Sequence, residues 1–422
     1  MRRAILHCLP LLCGATLWTD DWPQFRGPYR DDTWHEPGTG LFDAFPAGGL
    51  KVRWRQPAGY SWATPVVAQG RVFVIDSLLS KPDAKERMRC FDEVDGKLLW
   101  TFAYDVKYPE FAFVPGQGNG PTATPIIEGN RVWMLGINGE LHCLDTATGD
   151  VVWKKLLNQE FTIPEMTCRP SPLIEGDALI LLAGAKPNAT IMALEKHSGR
   201  VMWKALTESV LNSSPIAIGV AGRRQVIAWT SEKVVALDPA TGAILWEQRA
   251  ITNSNYGTAT PVFHNNRLLV SGLMLEFQPG KDAPVILWPV DNMSLSKRIL
   301  SNTCSPLFRD DHVYSALSRG ELVCLEASTG KQLWKADKVT KLGNGASINL
   351  CSVGEKAFLF TDEGNLILAH LTPAGYHEIS RALVIEPTTP FSGMKAWTPP
   401  AYANGCVFVR NDKEVVCYSL KP

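Results

Sequence analysis

The sequence predicts an all-β fold: an eight-bladed β-propeller of four-stranded antiparallel blades, closed by an N-terminal strand (Leu50 to Arg55) that completes the last blade. Three observations predict it. Short apolar runs recur in sets of four between turn signals, and a Gly-x-x-x-Trp motif closes most sets. The final set is one strand short, while an orphan strand stands before the first. A single four-stranded sheet is too small to stand alone, and closing the copies into a ring protects their open edges.

Residues 123–153, ATPIIEGNRVWMLGINGELHCLDTATGDVVW, carry the unit most clearly. Asn138-Gly139 is its strongest signal, because a two-residue type I′ hairpin turn needs positive φ at both central positions. The strands expected there are Ala123 to Ile127, Arg131 to Leu135, Glu140 to Asp145 and Val151 to Leu156. Units open at Pro65, Pro125, Pro172, Pro215, Pro261, Pro306, Cys351 and Pro400, spaced 60, 47, 43, 46, 45, 45 and 49 residues apart. The eighth supplies three strands before the chain ends at Pro422, and Leu50-Lys51-Val52-Arg53-Trp54-Arg55 supplies the fourth.

The remaining segments follow in order. Arg2 and Arg3 precede an apolar run, Ala4 to Leu12, and the small residues Cys13-Gly14-Ala15, so residues 1–15 read as a secretory signal. An exported protein, periplasmic or associated with the cell envelope, is expected. Residues 16–49 form an irregular strap that includes Asp21-Trp22-Pro23-Gln24-Phe25-Arg26-Gly27-Pro28, and residues 50–422 form the propeller. No later segment reaches the ~18 uninterrupted apolar residues of a membrane helix. With 42 basic and 42 acidic residues there is no electrostatic case for nucleic acid. A monomer is expected.

Trp54, Trp100, Trp153, Trp203, Trp246 and Trp334 recur at equivalent positions and read as structural docking residues wedged between blades, with the fifth and seventh units lacking one. The ten cysteines point to packing more than to disulfides. Cys90, Cys143, Cys324 and Cys417 share a third-strand slot with Ala193, Ala236 and Ala369, which marks a small buried position. Insertions break the rhythm at Ser80 to Arg89, at Tyr104 to Gly120 and at Gly272 to Pro284. The second holds Tyr104, Tyr108, Phe111 and Phe113 and is the candidate partner loop.

Units such as Val234-Val235-Ala236-Leu237-Asp238-Pro239-Ala240-Thr241-Gly242-Ala243-Ile244-Leu245-Trp246 resemble the repeat of the pyrroloquinoline quinone (PQQ)-like propellers. That superfamily includes quinoprotein alcohol dehydrogenases and the B lipoprotein of the outer-membrane β-barrel assembly machinery. Asp21 to Pro28 and the late Thr398 to Asn411 resemble exported PQQ-like repeat proteins of planctomycete-type bacteria. The resemblance covers about Lys51 to Leu420 and implies a bacterial, extracytoplasmic protein.

In such a ring the loops leading into the innermost strands surround one mouth of the channel. Trp62, Asn119, Arg169, Asn212, Tyr256, Asn302, Asn344, Lys395 and Trp397 are the candidate binding residues there. The family's quinone, paired with Ca²⁺, wants carboxylate ligands and a carboxylate base. None of these loops contains Asp or Glu; Glu165 and Glu208 are the nearest. No cofactor, metal site or catalytic residue is therefore expected. The reading is a non-catalytic scaffold that binds envelope or secreted proteins. One alternative is a dehydrogenase using PQQ with Ca²⁺. Another is small-molecule or glycan binding that stacks on Trp62, Tyr256 and Trp397.

Overall fold

The computed structural model describes residues 20–35, 40–117, 120–251, 257–289, 300–301 and 303–422. The signal reading of residues 1–15, with Cys8 and Cys13, lies outside them. Eight four-stranded antiparallel sheets form the ring. Blade 1 comprises Val66–Ala68, Arg71–Ser80, Asp83–Asp92 and Leu98–Val106. Blade 2 comprises Ile126–Glu128, Arg131–Leu135, Glu140–Asp145 and Val151–Leu156. Blades 3 to 7 begin at Leu173, Ile216, Val262, Leu307 and Ile348. Blade 8 joins Ala401–Ala403, Cys406–Arg410 and Glu414–Ser419 to Val52–Pro57, with Trp54 opposite Cys417. The closing strand thus sits two residues later than expected, but it closes the ring as predicted. The first strands of neighbouring blades touch one another and line the centre.

The blades are joined on the outside by tryptophan. Four of the expected docking indoles pack on the turn glycine of the following blade: Trp54 on Gly96, Trp100 on Gly149, Trp153 on Gly199 and Trp203 on Gly242. The ring N–H donates to a carbonyl of that same turn region, at 2.8 Å from Trp54 to Glu93 and 3.0 Å from Trp100 to Thr146. Trp334 likewise donates to Thr372 O at 2.8 Å. The fifth unit does carry its indole, contrary to the sequence reading: Trp288 packs on Gly330 and donates to Ala327 O at 2.8 Å. What blade 5 lacks is the receiving turn, so Trp246 donates to Gln225 Oε1 of its own blade instead. In blade 7 the tryptophan position is Ser380, opposite Leu368 rather than Ala369, and its Oγ accepts the Phe45 N–H of the strap at 2.8 Å.

These contacts leave no room for a side chain on the turn glycines. A Cβ on Gly242, which has φ +72°, would lie 2.4 Å from the Trp203 ring. Gly242→Ala is expected to cost about 2–4 kcal/mol through positive-φ strain and overpacking. Gly219→Ala, where the nearest atom is 3.7 Å away and φ is ordinary, is expected to be near neutral. Urea unfolding of the two variants checks the contrast.

A second girdle runs inside. In blades 2 to 6 the residue before the opening proline accepts, through its hydroxyl, the backbone N–H of its counterpart one blade earlier. Thr64 donates to Thr124, Thr124 to Ser171, Ser171 to Ser214, Ser214 to Thr260 and Thr260 to Ser305, at 2.9 to 3.4 Å. Proline has no N–H and cannot help satisfy these buried backbone positions, so the hydroxyls do it. The seam between blades 8 and 1 is held differently. Arg410, 1% exposed, donates to Ile75 O at 2.7 Å and to Gly59 O at 2.6 Å.

The strap crosses the central channel. Trp22 pairs with Val67 of blade 1, Pro23 O accepts Ile127 N–H of blade 2, and Asp32 O accepts Ser352 N–H of blade 7. Arg30 reaches Pro172 O of blade 3 at 2.7 Å, and Arg26 reaches Pro261 O of blade 5 at 3.4 Å. Arg26, itself buried, also pairs with the partly exposed Asp32 at 2.6 Å. The eight described cysteines are buried free thiols. The expected first insertion, Ser80 to Arg89, is part of a hairpin paired along its whole length, and only Phe277 to Pro284 interrupts blade 5.

Candidate functional site

The loops entering the first strands gather on one face, and blades 6, 7, 8 and 1 build its most distinctive part. The connection from blade 7 to blade 8 folds back as a small hairpin, Thr389–Pro390 with Met394–Lys395, and Phe391 N–H donates to Gly393 O at 2.7 Å. Gly393 at φ +106° makes that reversal possible. Trp397 contacts Phe391 with ring centroids 5.0 Å apart and meets Trp62 edge to face at 5.3 Å and 84°. Its indole N–H donates to Gly345 O at 2.9 Å, which ties in the connection from blade 6 to blade 7.

Of the expected mouth residues, the structure therefore brings Trp62 and Trp397 together, with Asn344 exposed beside Gly345. Lys395 is placed otherwise. It is 7% exposed and its Nζ lies 2.5 Å from Asp362 Oδ2, while Asp362 Oδ1 accepts the Thr340 hydroxyl at 2.8 Å. This cation is spent on an internal pair. Arg169 and Asn212 stand on the connections into blades 3 and 4, and Arg169 Nε donates to Met166 O at 2.9 Å. Asn119, Tyr256 and Asn302 lie outside the described residues. Glu208 is paired with Lys233 at 2.9 Å. Among the described residues, no group of three or more His, Cys, Asp or Glu could hold a metal ion. The described mouth residues thus do not make the carboxylate-containing oxygen shell that Ca²⁺ takes beside a quinone, and no chemistry is derived through one.

The partner loop is half anchor and half display. Tyr104 and Tyr108 turn inward and donate to Glu86, the latter at 2.6 Å, and Ile137 N–H donates to Glu86 Oε1 at 3.2 Å. A short 3₁₀ turn, Glu110–Phe113, follows. Phe113 packs inward while Phe111 and Val114 are 46% and 51% exposed. Gly116 then comes so close to the Pro390 carbonyl that a Cβ there would lie 2.2 Å from its oxygen. The loop and the hairpin are thus neighbours. Phe111 and Val114 of the loop, Phe391 and Met394 of the hairpin and Leu342 of the connection that Trp397 ties in are exposed apolar residues on three neighbouring connections, termed the crescent. A clustered apolar surface of this kind marks an interaction site more than scattered exposed residues do. Sequence reasoning found the loop but missed Phe391 and Met394; Pro390-Phe391-Ser392-Gly393 is a turn signal that could have found them.

Glu86 makes the anchor pH-dependent. Burial pushes its carboxyl up to about 7, with the tyrosine hydroxyls opposing. Because the folded value lies above the unfolded one, the folded state binds more protons over this window. Stability is expected to fall as pH rises from about 4.5 to about 7, by on the order of 3 kcal/mol for this group alone. Glu86→Gln should flatten that part of the curve, which urea midpoints from pH 4.5 to pH 8 measure.

The family model PQQ_2, described as "Outer membrane protein assembly factor BamB", matches residues 84–278 and 281–372. The outer membrane protein assembly factor BamB of Burkholderia pseudomallei (strain K96243) is 23% identical over 290 residues, covering 65% of this chain and 69% of that protein. The crystal structure of BamB from Moraxella catarrhalis is similar at TM-score 0.56 and 19% identity, over 88% of this chain and 97% of that one. A quinohemoprotein alcohol dehydrogenase from Comamonas testosteroni is similar at TM-score 0.63 and 14% identity, over 96% and 81%. At these identities the structural likenesses speak to fold alone.

Proposed function

The chain belongs to the family described as outer membrane protein assembly factor BamB, and from that premise we propose a non-catalytic scaffold that binds proteins of the bacterial envelope during outer-membrane protein assembly. The observation that carries this reading is the apolar crescent of Phe111, Val114, Phe391, Met394 and Leu342. It is built from three connections on one face and held by the inward tyrosines and by Trp397. Shape and apolar area give such a surface its affinity, with aromatic residues as anchors. An exported, envelope location is part of the proposal and agrees with the leader-like pattern of residues 1–15.

Complementation tests it. The chain is expressed in a bacterium lacking its own assembly factor of this family, and the abundance of outer-membrane β-barrel proteins is measured. Restoration by the wild type, lost with Phe391→Asp and Met394→Asp combined, is the expected result. Restoration that survives both substitutions would remove the crescent from the proposal, and no restoration at all would count against the assembly role. Met394 is 53% exposed, whereas Phe391 packs on Trp397, so the unfolding midpoint is measured alongside and Met394→Asp alone is the variant expected to keep the wild-type value.

A further inference from the structure

Blade 8 departs from the repeat at one place beneath its closing strand. Cys417 holds the third-strand slot shared with Cys90, Cys143 and Cys324, opposite Phe408 on one side and Trp54 on the other. Cys406 stands two residues before Phe408, so its side chain leaves the same face as that of Cys417 and lies diagonally beside it. The corresponding second-strand position of the other blades holds no thiol, and at Arg71, Arg131, Arg267 and Lys356 it is a cation. In blade 8 the cation comes from a different strand. A β-bulge leaves Arg53 as the extra residue, with Val52 opposite Tyr418 and Trp54 opposite Cys417, and Arg53 Nη1 donates to Cys406 Sγ at 3.1 Å. The bulge residue of the other seven blades is apolar, as at Leu99, Val152 and Leu245.

Packing alone does not call for this pair, since Ala193 and Ala236 fill the same third-strand slot without sulfur. The Cys417 S–H hydrogen bond, helped by the Arg53 guanidinium, pulls the Cys406 thiol down toward its ionised form against burial. Donating that bond, together with burial, pushes Cys417 up. The pair is therefore asymmetric, with Cys406 the nucleophile, because the thiolate is the attacking species. We propose that Cys406 and Cys417 are an oxidisable dithiol, a modification site that takes a disulfide-type oxidant and closes to a disulfide stapling Cys406–Arg410 to Glu414–Ser419. The Cys406 thiolate attacks one sulfur of the oxidant, whose S–S bond breaks and whose other sulfur leaves as a thiolate. Cys417 then gives up its proton, attacks Cys406 Sγ and expels the second oxidant sulfur. The protein loses two electrons and two protons, and the oxidant's disulfide becomes two thiols. The new bond fixes the strand pair on which the closing strand docks. This site goes beyond the assembly role and stands whether or not that role does.

Oxidation of the reduced full chain with oxidised glutathione tests it, in one arm on the folded protein and in another during refolding from urea. Each sample is quenched with acid, alkylated in denaturant and mapped by peptide mass spectrometry. Both thiols are buried, at 1% and 0% exposure, and the refolding arm keeps the answer independent of access to them. The expected result is a Cys406–Cys417 cross-link, two hydrogens lighter than the dithiol, with Cys90, Cys143 and Cys324 alkylated. The cross-linked chain should have a higher urea midpoint, and dithiothreitol should reverse the shift. Cys417→Ala, the residue that blades 3 and 4 place in this slot, should fold and lose both the cross-link and the oxidant-dependent shift. Alkylation of both Cys406 and Cys417 in both arms, cross-links spread over the other cysteines, or a midpoint that oxidation leaves unchanged would overturn the proposal.

Discussion

Trp54→Ala is expected to lower stability by about 3–5 kcal/mol, the largest loss of any single docking tryptophan. The indole is 5% exposed, sits against Phe91 and Phe408 at 6.2 and 6.0 Å, and donates to Glu93 O at 2.8 Å. Truncation removes that packing, leaves a cavity and frees a carbonyl. The other docking residues join blades that are also consecutive in the chain, whereas Trp54 joins the two ends of the ring. Its loss therefore weakens a contact that no short connection backs up. The denaturant midpoint should fall with little change in slope, and limited proteolysis should cut near residues 50–57 first. Leu98→Ala, 49% exposed on an outer strand, is the control and should stay within about 0.5 kcal/mol. A midpoint for Trp54→Ala close to that control would show that the seam is held elsewhere, Arg410 being the next candidate.

Arg26→Met in the strap is expected to cost about 2–4 kcal/mol, because it leaves a mostly buried carboxylate, 17% exposed, without its cation. Burial already pushes Asp32 up to about 6, against the opposing pull of Arg26. The sign follows from linkage. A carboxyl whose folded value is raised is held protonated in the folded state, so stability falls as pH rises from its ordinary value near 4 to the folded value. Without Arg26 the folded value climbs, the decline extends to higher pH, and the variant should be closest to wild type in acid. Asp32→Asn added to Arg26→Met should recover part of the loss at pH 7. Thermal melts of the wild type and the two variants between pH 4 and pH 8 measure this, and a pH-independent deficit would attribute the cost to lost packing instead.

The fold was legible because repetition multiplies a weak signal. One run such as Arg131 to Leu135 could be a strand or part of a helix, but eight sets with a missing strand at one end and a spare at the other admit few arrangements. Trp288 escaped because its hairpin is interrupted by Phe277 to Pro284, which removes the turn glycine that identifies its counterparts. The strap was seen but its place was not. Arg26 and Arg30 find their partners 235 and 142 residues away, and no periodicity in the strap announces them. The mouth residues were chosen by loop position, which cannot tell an outward lysine from one paired beneath the surface, as Lys395 is with Asp362. Nothing in the run of lysine and arginine around Glu86 singles it out; only the fold brings Tyr104 and Tyr108 over it.

The closing blade also sets the order of events in time. Its outer strand, Val52–Pro57, is the first strand of the ring in chain order, and its partner Glu414–Ser419 is the ring's last. Blades 1 to 7 can each form as their own residues emerge, but the ring cannot close until Glu414–Ser419, more than 350 residues after Val52–Pro57, has emerged. Through that interval both ends of the growing arc carry unpaired strand edges, the surfaces most open to wrong pairing. Contacts of such long sequence separation are also slow to form. Moving Val52–Pro57 to follow Ser419 by circular permutation would make closure a local hairpin, and refolding of the permuted chain should be faster while its blades stay the same.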